Sequence, residues 1–432
     1  MPRTTKPSDS HWLSAQDAAT LLGVQRSSLY SYVSRGLLQA GRQPGLRGSV
    51  YARADVLRLA RQRQTVRNPA RLAQSTLDWG QPVLDSAITQ VADGQLYYQG
   101  QLATTLADAA TLEQIACLLL EGNMPLAPYY QALTAIKNKA LLPATPRTPS
   151  AALAAWFASD VEQDADEPTS AHHTHALLHH MLDVLCGLPV RGAAYYHDAL
   201  SKSKPLRPLH GRLGRIWLVD DADQATLRQA LVLCADHELN ASSFAARVVA
   251  STGASLHACL GAGLAALTGP LHGGMTAVIN THWDDWHASH PHALAPGLAQ
   301  LLQATHSGQT PNYCAGFGHP LYPAGDPRSL HLLALLPHNP QRDDLLAAVH
   351  THTGLHPSLD YALVAIERSL QLPSGAAFAL FALGRTAGWI AHTQEQRASG
   401  QLIRPRAHYT GTLPTDQAVR QAAPDRRVVR FR

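Results

Sequence analysis

Three histidines in the second half of the chain lie next to residues that bend or expose the backbone. His237 begins His-Glu-Leu-Asn-Ala-Ser, His272 lies in Gly-Pro-Leu-His-Gly-Gly, and His319 lies in Gly-Phe-Gly-His-Pro-Leu-Tyr. A glycine beside a histidine lets the backbone approach a ligand closely and adopt a positive φ at little cost. Each segment alone is a weak signal, but all three indicate where imidazole chemistry would concentrate.

One carboxylate, Asp360, interrupts an otherwise apolar helical stretch in the sequence Leu-Asp-Tyr. Burial disfavours the charged form of a carboxyl group and raises its pKa, so such a residue is costly unless it is partnered or used. Asp360 is therefore a candidate general base. The alternative is a helix cap near His356-Pro357-Ser358, and the residue alone leaves both interpretations open.

Taken in order, these segments resemble the citrate synthase family. Asp326-Pro327-Arg328 follows the third histidine, and Asp360 comes next. The stretch 384–392 then reads Gly-Arg-Thr-Ala-Gly-Trp-Ile-Ala-His, and 403–406 reads Ile-Arg-Pro-Arg. The resemblance covers about residues 80–415, and its motifs are specific in combination.

The resemblance implies a mainly α-helical homodimer in which a small domain closes over the active site of a large one. We expect a basic helix-turn-helix domain at 1–71, the large domain at 77–273 and 373–432, and the small domain at 274–372. The apolar stretch 242–268 is rich in Ser, Gly and Ala and contains Arg247 and His257. This composition favours a buried helix at a dimer interface over a membrane span.

By the same resemblance, Asp360 would remove a methyl proton from an acyl-CoA thioester. His272 would donate a hydrogen bond to the thioester oxygen, and His319 would polarise and protonate the ketone of oxaloacetate. A thioester methyl is a far weaker acid than a carboxylic acid, and each pK unit of mismatch costs about 1.4 kcal/mol. Donors aimed at the developing oxyanion must therefore lower the barrier.

Water would then release CoA and the product, which is citrate from acetyl-CoA or 2-methylcitrate from propionyl-CoA. One methylene changes binding by only about 1–3 kcal/mol, so the motifs leave both substrates open. The resemblance implies acyl-CoA as a substrate, no tightly bound cofactor and no metal.

Oxaloacetate carries two carboxylates, so the site should be rich in fixed positive charge. The resemblance assigns carboxylate binding to His237, Arg328 and Arg385, with Arg404 reached from the other subunit. Guanidinium suits this role because its planar fork binds a carboxylate through two hydrogen bonds and stays charged.

The chain departs from the family pattern after the third histidine. Many members read Gly-Phe-Gly-His-Arg-Val-Tyr-Lys, whereas Pro320 and Pro323 replace the two basic residues here. Two positive charges expected at the CoA phosphates are therefore absent from this segment, and Arg207, Arg212 and Arg215 are candidates to replace them. We expect an active condensing enzyme with altered thioester handling.

The first 71 residues are strongly basic, whereas the rest of the chain is acidic. They contain twelve Arg or Lys and three Asp, a net charge of +9, which leaves −5 for the rest of a chain whose total is +4. Ser14 precedes a short helix, a Gly-Val break and a second helix, which resembles the helix-turn-helix of excisionase-like and MerR-type modules. Candidate DNA contacts are Arg26, Ser27 and Ser28 of the second helix and Arg47 of the basic turn that follows.

Two alternatives stay open at this point. The N-terminal segment could be a helical docking domain with a solvated positive face, because basic surface alone supplies only sequence-independent affinity for DNA. The whole chain could be a DNA-binding regulator whose citrate-synthase-like body senses a metabolite. The retained Asp360, His272 and His319 favour the enzyme, because a sensor needs ligand contacts but no proton-abstracting carboxylate.

Composition excludes several other classes of protein. A hydrophobic share of 45% in 432 residues argues against wholesale disorder, and five scattered cysteines argue against a disulfide framework or zinc finger. His175 and His179 are helical neighbours, but no third metal ligand follows at a recognisable spacing. The N-terminus lacks the apolar core of a signal peptide, which predicts a cytoplasmic protein without membrane association.

Overall fold

Helices dominate the computed structural model of the protein. The structure describes residues 12–22, 24–34, 38, 40–41, 49–52, 56, 84–124, 143–159, 170–201, 206–288, 298–299, 316–405, 407 and 410–411. The chain divides into two units, Met1–Asp85 with Pro405–Arg432 and Ser86–Arg404. The prediction of a mainly α-helical chain is confirmed.

The first unit contains the predicted pair of short helices, α1 (Ala15–Leu22) and α2 (Arg26–Ser34). Ser14 begins α1 as predicted, because its Oγ accepts the Asp17 N–H at 3.2 Å and donates to the Asp17 carboxylate at 2.7 Å. The strands β1 (Trp12–Ser14), β2 (Ala40–Gly41) and β3 (Val50–Ala52) form an antiparallel sheet in the order β1-β3-β2. The core between helices and sheet contains Ala18, Leu22, Leu29, Tyr51 and Val56.

The second unit begins with a small antiparallel sheet and continues with helices. Its strands are β4 (Thr89–Ala92), β5 (Gln95–Tyr98) and β6 (Gln101–Leu102), paired in that order. Its first helices are α3 (Ala103–Ala109), α4 (Leu112–Glu121), α5 (Pro149–Ala158), α6 (Ala171–Leu185), α7 (Ala193–Ser201), α8 (Leu209–Ile216) and α9 (Gln224–Cys234). They are followed by α10 (Ala241–Ala250), α11 (Leu256–Leu267), α12 (Met275–His287), α13 (Pro327–Ala334), α14 (Pro340–Thr353), α15 (Leu359–Ser369) and α16 (Ala376–Ser399).

The apolar stretch 242–268 forms two helices rather than one. Helix α10 ends before Gly253, which has φ +79°, and α11 begins at Leu256. The backbone therefore reverses at a residue that tolerates the left-handed region. In the described segments, no helix has both the length and the apolar character needed to cross a membrane.

The predicted histidine pair lies in the helical core. His175 Nε2 is 3.2 Å from the Glu113 carbonyl oxygen, and His179 Nδ1 accepts a hydrogen bond from Arg212 Nη1 at 2.9 Å. Across the described residues, no group of three or more His, Cys, Asp or Glu could hold a metal ion. The described cysteines at 117, 186, 234 and 259 are buried and free, and Cys314 lies outside the described residues.

Helix α16 is the central element of the second unit and is buried along most of its length. Gly384 allows the end of α9 to pack against its backbone, and Gly388 donates its N–H to the Ala235 carbonyl at 3.0 Å. A Cβ at Gly388 would collide with the Asp236 carboxylate. This close approach brings Arg385 of α16 beside the segment that carries His237.

We expect Gly384→Ala to destabilise the protein. The new Cβ would lie 2.5 Å from Cys234 Cβ and 2.7 Å from the Leu231 carbonyl oxygen. Overpacking of this kind costs about 1–3 kcal/mol. Gly211→Ala in α8 is the matched control, because its Cβ would meet Gln224 Oε1 at an ordinary 3.7 Å. Urea unfolding measures both, and equal free energies of unfolding for the two variants would contradict the packing argument.

Candidate active site

Backbone hydrogen bonds pair the segments that precede His319 and Asp360. Gly316 and Gly318 have φ +77° and +76°, so the turn before His319 uses the left-handed region twice. Two hydrogen bonds join this turn to the residues before α15, from Gly318 N to His356 O at 2.8 Å and from Ser358 N to Gly316 O at 2.9 Å. The two predicted catalytic residues therefore follow paired backbone segments, although 41 positions separate them in the sequence.

Asp360 lies in the first turn of α15 with its carboxyl group withdrawn from water. Its Oδ1 is buried and has no hydrogen-bond partner among the described residues, while Ser358 Oγ lies 3.5 Å from Oδ2. Burial raises the pKa of Asp360 to about 6, although the positive charge of Arg328 opposes the rise. Ser358, and not Asp360, occupies the N-cap position of α15.

His319 is held as a neutral ring with a defined tautomer. Its Nδ1 accepts the backbone N–H of Leu321 at 3.2 Å, so Nε2 carries the proton of the neutral imidazole. Burial, helped by the charge of Arg328, lowers the pKa of His319 to about 4. The ring lies edge-on to His237, with 5.1 Å between centroids, and 4.9 Å from the ring of Tyr322. At neutral pH this residue is a hydrogen-bond donor without net charge.

His272 is also neutral, and a serine holds it. Its Nε2 lies 2.9 Å from Ser242 Oγ, whose hydroxyl donates to Asn240 Oδ1 at 2.7 Å. The Ser242 oxygen therefore accepts the Nε2–H of His272, which leaves Nδ1 without a proton. Burial is the main cause that lowers the pKa of His272 to about 3. A donor role for Nδ1 requires the Ser242 hydroxyl to turn its proton from Asn240 to Nε2.

His237 lies at the centre of the electrostatic site. Its Nε2 is 2.9 Å from the Tyr322 hydroxyl oxygen. Burial holds the pKa of His237 well below its ordinary value, and the same direction is favoured by Arg328, His319, Arg385 and His272. His237 thus interacts electrostatically with both predicted catalytic imidazoles and with two of the predicted arginines, Arg328 and Arg385.

A strained turn and the β4-β5 hairpin position His237. Glu238 has φ +49°, a backbone conformation that costs a non-glycine residue free energy. Its Oε1 accepts the N–H of Val91 in β4 at 2.7 Å. The Tyr98 hydroxyl of β5 donates to the Val232 carbonyl at 3.0 Å, just before the end of α9. The hairpin therefore fixes both sides of the segment that carries His237.

Arg328 is buried in a two-point ion pair with Asp326. Its Nε and Nη2 donate to the two carboxylate oxygens at 2.9 and 2.7 Å. The Asp326 Oδ1 atom also accepts the Arg328 N–H at 3.0 Å, which caps α13. One edge of the guanidinium is thus engaged within the protein. A ligand would be met by the remaining N–H groups of a rigidly oriented cation.

Arg385 is equally buried but is held differently. Its Nε donates to the Cys234 carbonyl oxygen at 2.9 Å, and its guanidinium carbon lies 5.1 Å from the centre of the Phe381 ring. Burial lowers the pKa of Arg385, and the negative charge of Asp236 opposes that change. The bond through Nε leaves both Nη nitrogens for a ligand, as far as the described residues show.

The remaining predicted residues are Arg404 and those of the helix-turn-helix segment. Arg404 is exposed beyond the end of α16. In the first unit, Arg26 is exposed and bonds Gln16, and Ser28 is half-buried. The Ser27 side chain and Arg47 lie outside the described residues.

Arg212 is excluded as a replacement for the missing basic residues at Pro320 and Pro323. It is buried, with Nη2 2.7 Å from Asp183 Oδ1 and Nη1 2.9 Å from His179 Nδ1. Both ends of its guanidinium fork are therefore used inside the helical core. Arg207 and Arg215 are half-buried and remain candidates.

Sequence reasoning missed the supporting residues of the site. Tyr322, Asp236 and Ser242 contact or neighbour the predicted groups, yet none was singled out. Each stands within three residues of a predicted residue or inside its motif, and that proximity is the only sequence signal. Their hydrogen bonds become visible only when distant segments meet.

Asp360→Asn should make the protein more stable above neutral pH. The pKa of Asp360 is raised from 3.8 to about 6, so the native state binds more protons than the unfolded chain between these values. Stability therefore falls as the pH rises through about 6. Asparagine removes this loss, with an expected gain of about 1–3 kcal/mol near pH 7.5 and little gain near pH 4. Thermal unfolding at both pH values tests this, and a gain that is independent of pH would contradict it.

The chain is similar to known proteins along most of its length. The family "Citrate synthase, C-terminal domain" matches residues 76–406, and "Helix-turn-helix domain" matches residues 12–64. "Citrate synthase" of Mycolicibacterium smegmatis is 28% identical over 366 residues, which are 76% of this chain and 92% of that protein. "Citrate synthase 2" of Bacillus subtilis (strain 168) is 33% identical over 193 residues, 42% of this chain. "2-methylcitrate synthase 2" of Corynebacterium glutamicum is 33% identical over 204 residues, 44% of this chain.

The chain spans half the length of the Bacillus subtilis and Corynebacterium glutamicum relatives that it matches. The crystal structure of citrate synthase from Thermotoga maritima MSB8 has a similar fold, with a TM-score of 0.54 and 23% identity. That similarity covers 78% of this chain and 96% of the Thermotoga maritima chain. Since the family match extends across residues 76–406, the chain belongs to the citrate synthase family and carries an N-terminal helix-turn-helix domain.

Proposed function

We propose that the protein is a citrate synthase-type enzyme that condenses an acyl-CoA with oxaloacetate. The observation that carries the proposal is the pairing of the His319 turn with the residues before Asp360, beside the buried cations Arg328 and Arg385. This arrangement joins a carboxyl base of raised pKa to a neutral imidazole donor and to binding groups for carboxylates. Acetyl-CoA would give citrate, and propionyl-CoA would give 2-methylcitrate.

The first step is proton transfer from the thioester methyl to Asp360. A carboxyl pKa of about 6 makes Asp360 a stronger base than an ordinary aspartate, yet still ionised at neutral pH. As the proton leaves, negative charge develops on the thioester oxygen, where His272 would donate a hydrogen bond. The Ser242 hydroxyl supports that role by donating a hydrogen bond to Nε2 of the tautomer whose proton is on Nδ1. It would then turn away from Asn240 Oδ1, which retains two backbone donors at 3.1 Å.

The second step joins the enolate carbon to the ketone carbon of oxaloacetate. His319 would polarise the ketone through Nε2–H and supply a proton to the alkoxide that forms. Both imidazoles are suited to these roles as neutral rings. Hydrogen-bond donors fixed in a dry site stabilise developing negative charge without reorganisation of water. Water then cleaves the thioester, releasing CoA and the tricarboxylate product.

The two carboxylates of oxaloacetate would be bound by Arg328, Arg385 and His237. The ring of His237 is fixed by Tyr322 and electrostatically coupled to both arginines. Arg404 would complete the site of a partner subunit, a role that its exposed position supports. We place the dimer contact on α10 and α11, whose half-buried residues include Phe244, Val248 and Ala258. The segment 274–372 would be the small domain that closes over the substrates.

We expect the purified protein to release free thiol from acetyl-CoA or propionyl-CoA when oxaloacetate is present. Asp360→Ala should lower this rate at least about 100-fold while oxaloacetate binding stays within a small factor of wild type, since a positioned general base supplies about 10²–10⁴-fold. Asp284→Ala is the matched control, because that carboxylate is exposed on α12. An absence of thiol release from both thioesters would rule out the condensing activity.

We further propose that the helix-turn-helix domain binds DNA. The supporting observation is that α2 presents an exposed Arg26 together with Tyr30, which is 68% exposed, while Leu29 is buried in the domain core. A second helix of this motif can place such outward side chains in the major groove. The positive charge of the N-terminal segment would add affinity through the phosphates.

Electrophoretic mobility shifts at several salt concentrations test this binding. The double substitution of Arg26 and Arg47 by Ala should weaken binding and reduce its dependence on salt. A protein that makes fewer phosphate contacts releases fewer counterions from the DNA when it binds. Arg368→Ala, in the second unit, should leave the shift unchanged. Full affinity in the double variant would contradict DNA contact at these residues. DNA and oxaloacetate binding without any thiol release would instead favour the regulator.

A further inference from the structure

A buried line of polar side chains ends on the residue before His237. Arg247 Nη1 lies 3.1 Å from His392 Nδ1, and His392 Nε2 lies 3.2 Å from Asp236 Oδ2. The exposed fractions of these three residues are 2%, 0% and 0%. Because a guanidinium only donates, His392 Nδ1 must accept, and Nε2 must donate its proton to Asp236. The contacts therefore orient the His392 ring, with Nδ1 towards Arg247 and Nε2 towards Asp236.

Asp236 has room for its carboxylate because α16 has glycine at the contact. Any side chain at Gly388 would collide with Asp236 Oδ1, and the Ser243 hydroxyl lies 3.4 Å from the same atom. The carboxylate is thus enclosed by α10 and α16, away from water. Its negative charge acts on Arg385, which lies one helical turn before Gly388 in α16.

The two arginines of the site are balanced in different ways. Arg328 is matched by a direct two-point contact with Asp326. Arg385 donates through Nε to a neutral carbonyl oxygen. The negative charge of Asp236 balances its positive charge, and no described contact is a hydrogen bond between the two side chains. A buried cation needs a counter-charge, but a counter-ion on the fork would compete with a ligand carboxylate.

We propose that Asp236, held by His392 and Arg247, is a positioning residue whose carboxylate balances the buried charge of Arg385 while leaving its Nη edge free for a substrate carboxylate. The proposal rests on the proposed function, because it assumes that Arg385 binds a dicarboxylate. It assigns to Asp236 and His392 an effect on substrate affinity rather than a chemical step. It also gives a reason for an aspartate directly before His237 and a histidine seven residues after Arg385.

The test compares two buried carboxylates. Asp236→Asn should raise the Kd for oxaloacetate, measured by titration calorimetry, at least about tenfold, whereas kcat at saturating substrate should change less than about threefold. Asp183→Asn is the matched control, because Asp183 is equally buried and bonds Arg212 and Tyr196 outside the site. This control should lower Tm while the Kd stays within about twofold of wild type.

A second pair of variants keeps the proposal testable if Asp236→Asn does not fold. His392→Gln retains a donor for Asp236 and an acceptor for Arg247, so the Kd should stay near that of wild type. His392→Leu fills a similar volume without either bond and should raise the Kd for oxaloacetate at least about fivefold, since a charge-assisted hydrogen bond is lost. Equal Kd values for the Gln and Leu variants would overturn the proposal.

The same titration separates this proposal from the condensing activity. If wild-type protein binds oxaloacetate but releases no thiol, only the activity fails. If it binds neither oxaloacetate nor citrate, the inference about Arg385 is wrong as well. An unchanged Kd in a folded Asp236→Asn variant, as judged by circular dichroism, would also overturn the inference.

Discussion

The site depends on two guanidinium groups, Arg328 and Arg385, that the fold holds away from water. A buried cation is tolerated only where other groups replace its hydration. The protein does this with the direct Asp326 ion pair for one arginine, and with a backbone carbonyl and the nearby charge of Asp236 for the other. The positive field that results disfavours protonation of His237, His272 and His319, each of which is buried beside at least one of these cations.

Burial acts in opposite directions on the acids and bases of the site, and both directions suit the proposed chemistry. It lowers the pKa of the imidazoles and raises that of Asp360, because in each case the charged form loses hydration. The site residues therefore include neutral imidazoles and a carboxyl group of raised basicity. The positive charge of Arg328 keeps the pKa of Asp360 from rising further, so the carboxylate form is retained at neutral pH.

Close contact between backbones determines where these groups lie. Gly384 and Gly388 let α16 approach the end of α9, and the left-handed Gly316 and Gly318 form the turn that pairs with the residues before α15. The strained Glu238 and the β4-β5 hairpin fix the third segment. Side chains at Gly384, Gly388 and Gly316 would collide with neighbouring atoms and disturb the first two of these contacts.

The sequence by itself was sufficient for the class of fold, the helix-turn-helix with its Ser14 cap, and the family. These rest on local signals, namely capping residues, helical periodicity and the order of short motifs. It also predicted His237, Arg328 and Arg385 as carboxylate ligands, and in the tertiary structure the charges of both arginines act on His237. The division of 242–268 into α10 and α11 was missed, because a single Gly253 is a weak breaker within an apolar helical pattern.

Only the tertiary structure decided how each site residue is held. Arg328 is held by Asp326, and His272 by Ser242. Hydrogen bonds also connect Arg247 to Asp236 through His392. These contacts join residues from 2 to 156 positions apart in the sequence. Tautomer, the orientation of a guanidinium fork and the pKa of a carboxyl group depend on burial and on neighbours within a few ångströms. Motif spacing carries no such information, because it records residue types along the chain and not the distances between side chains.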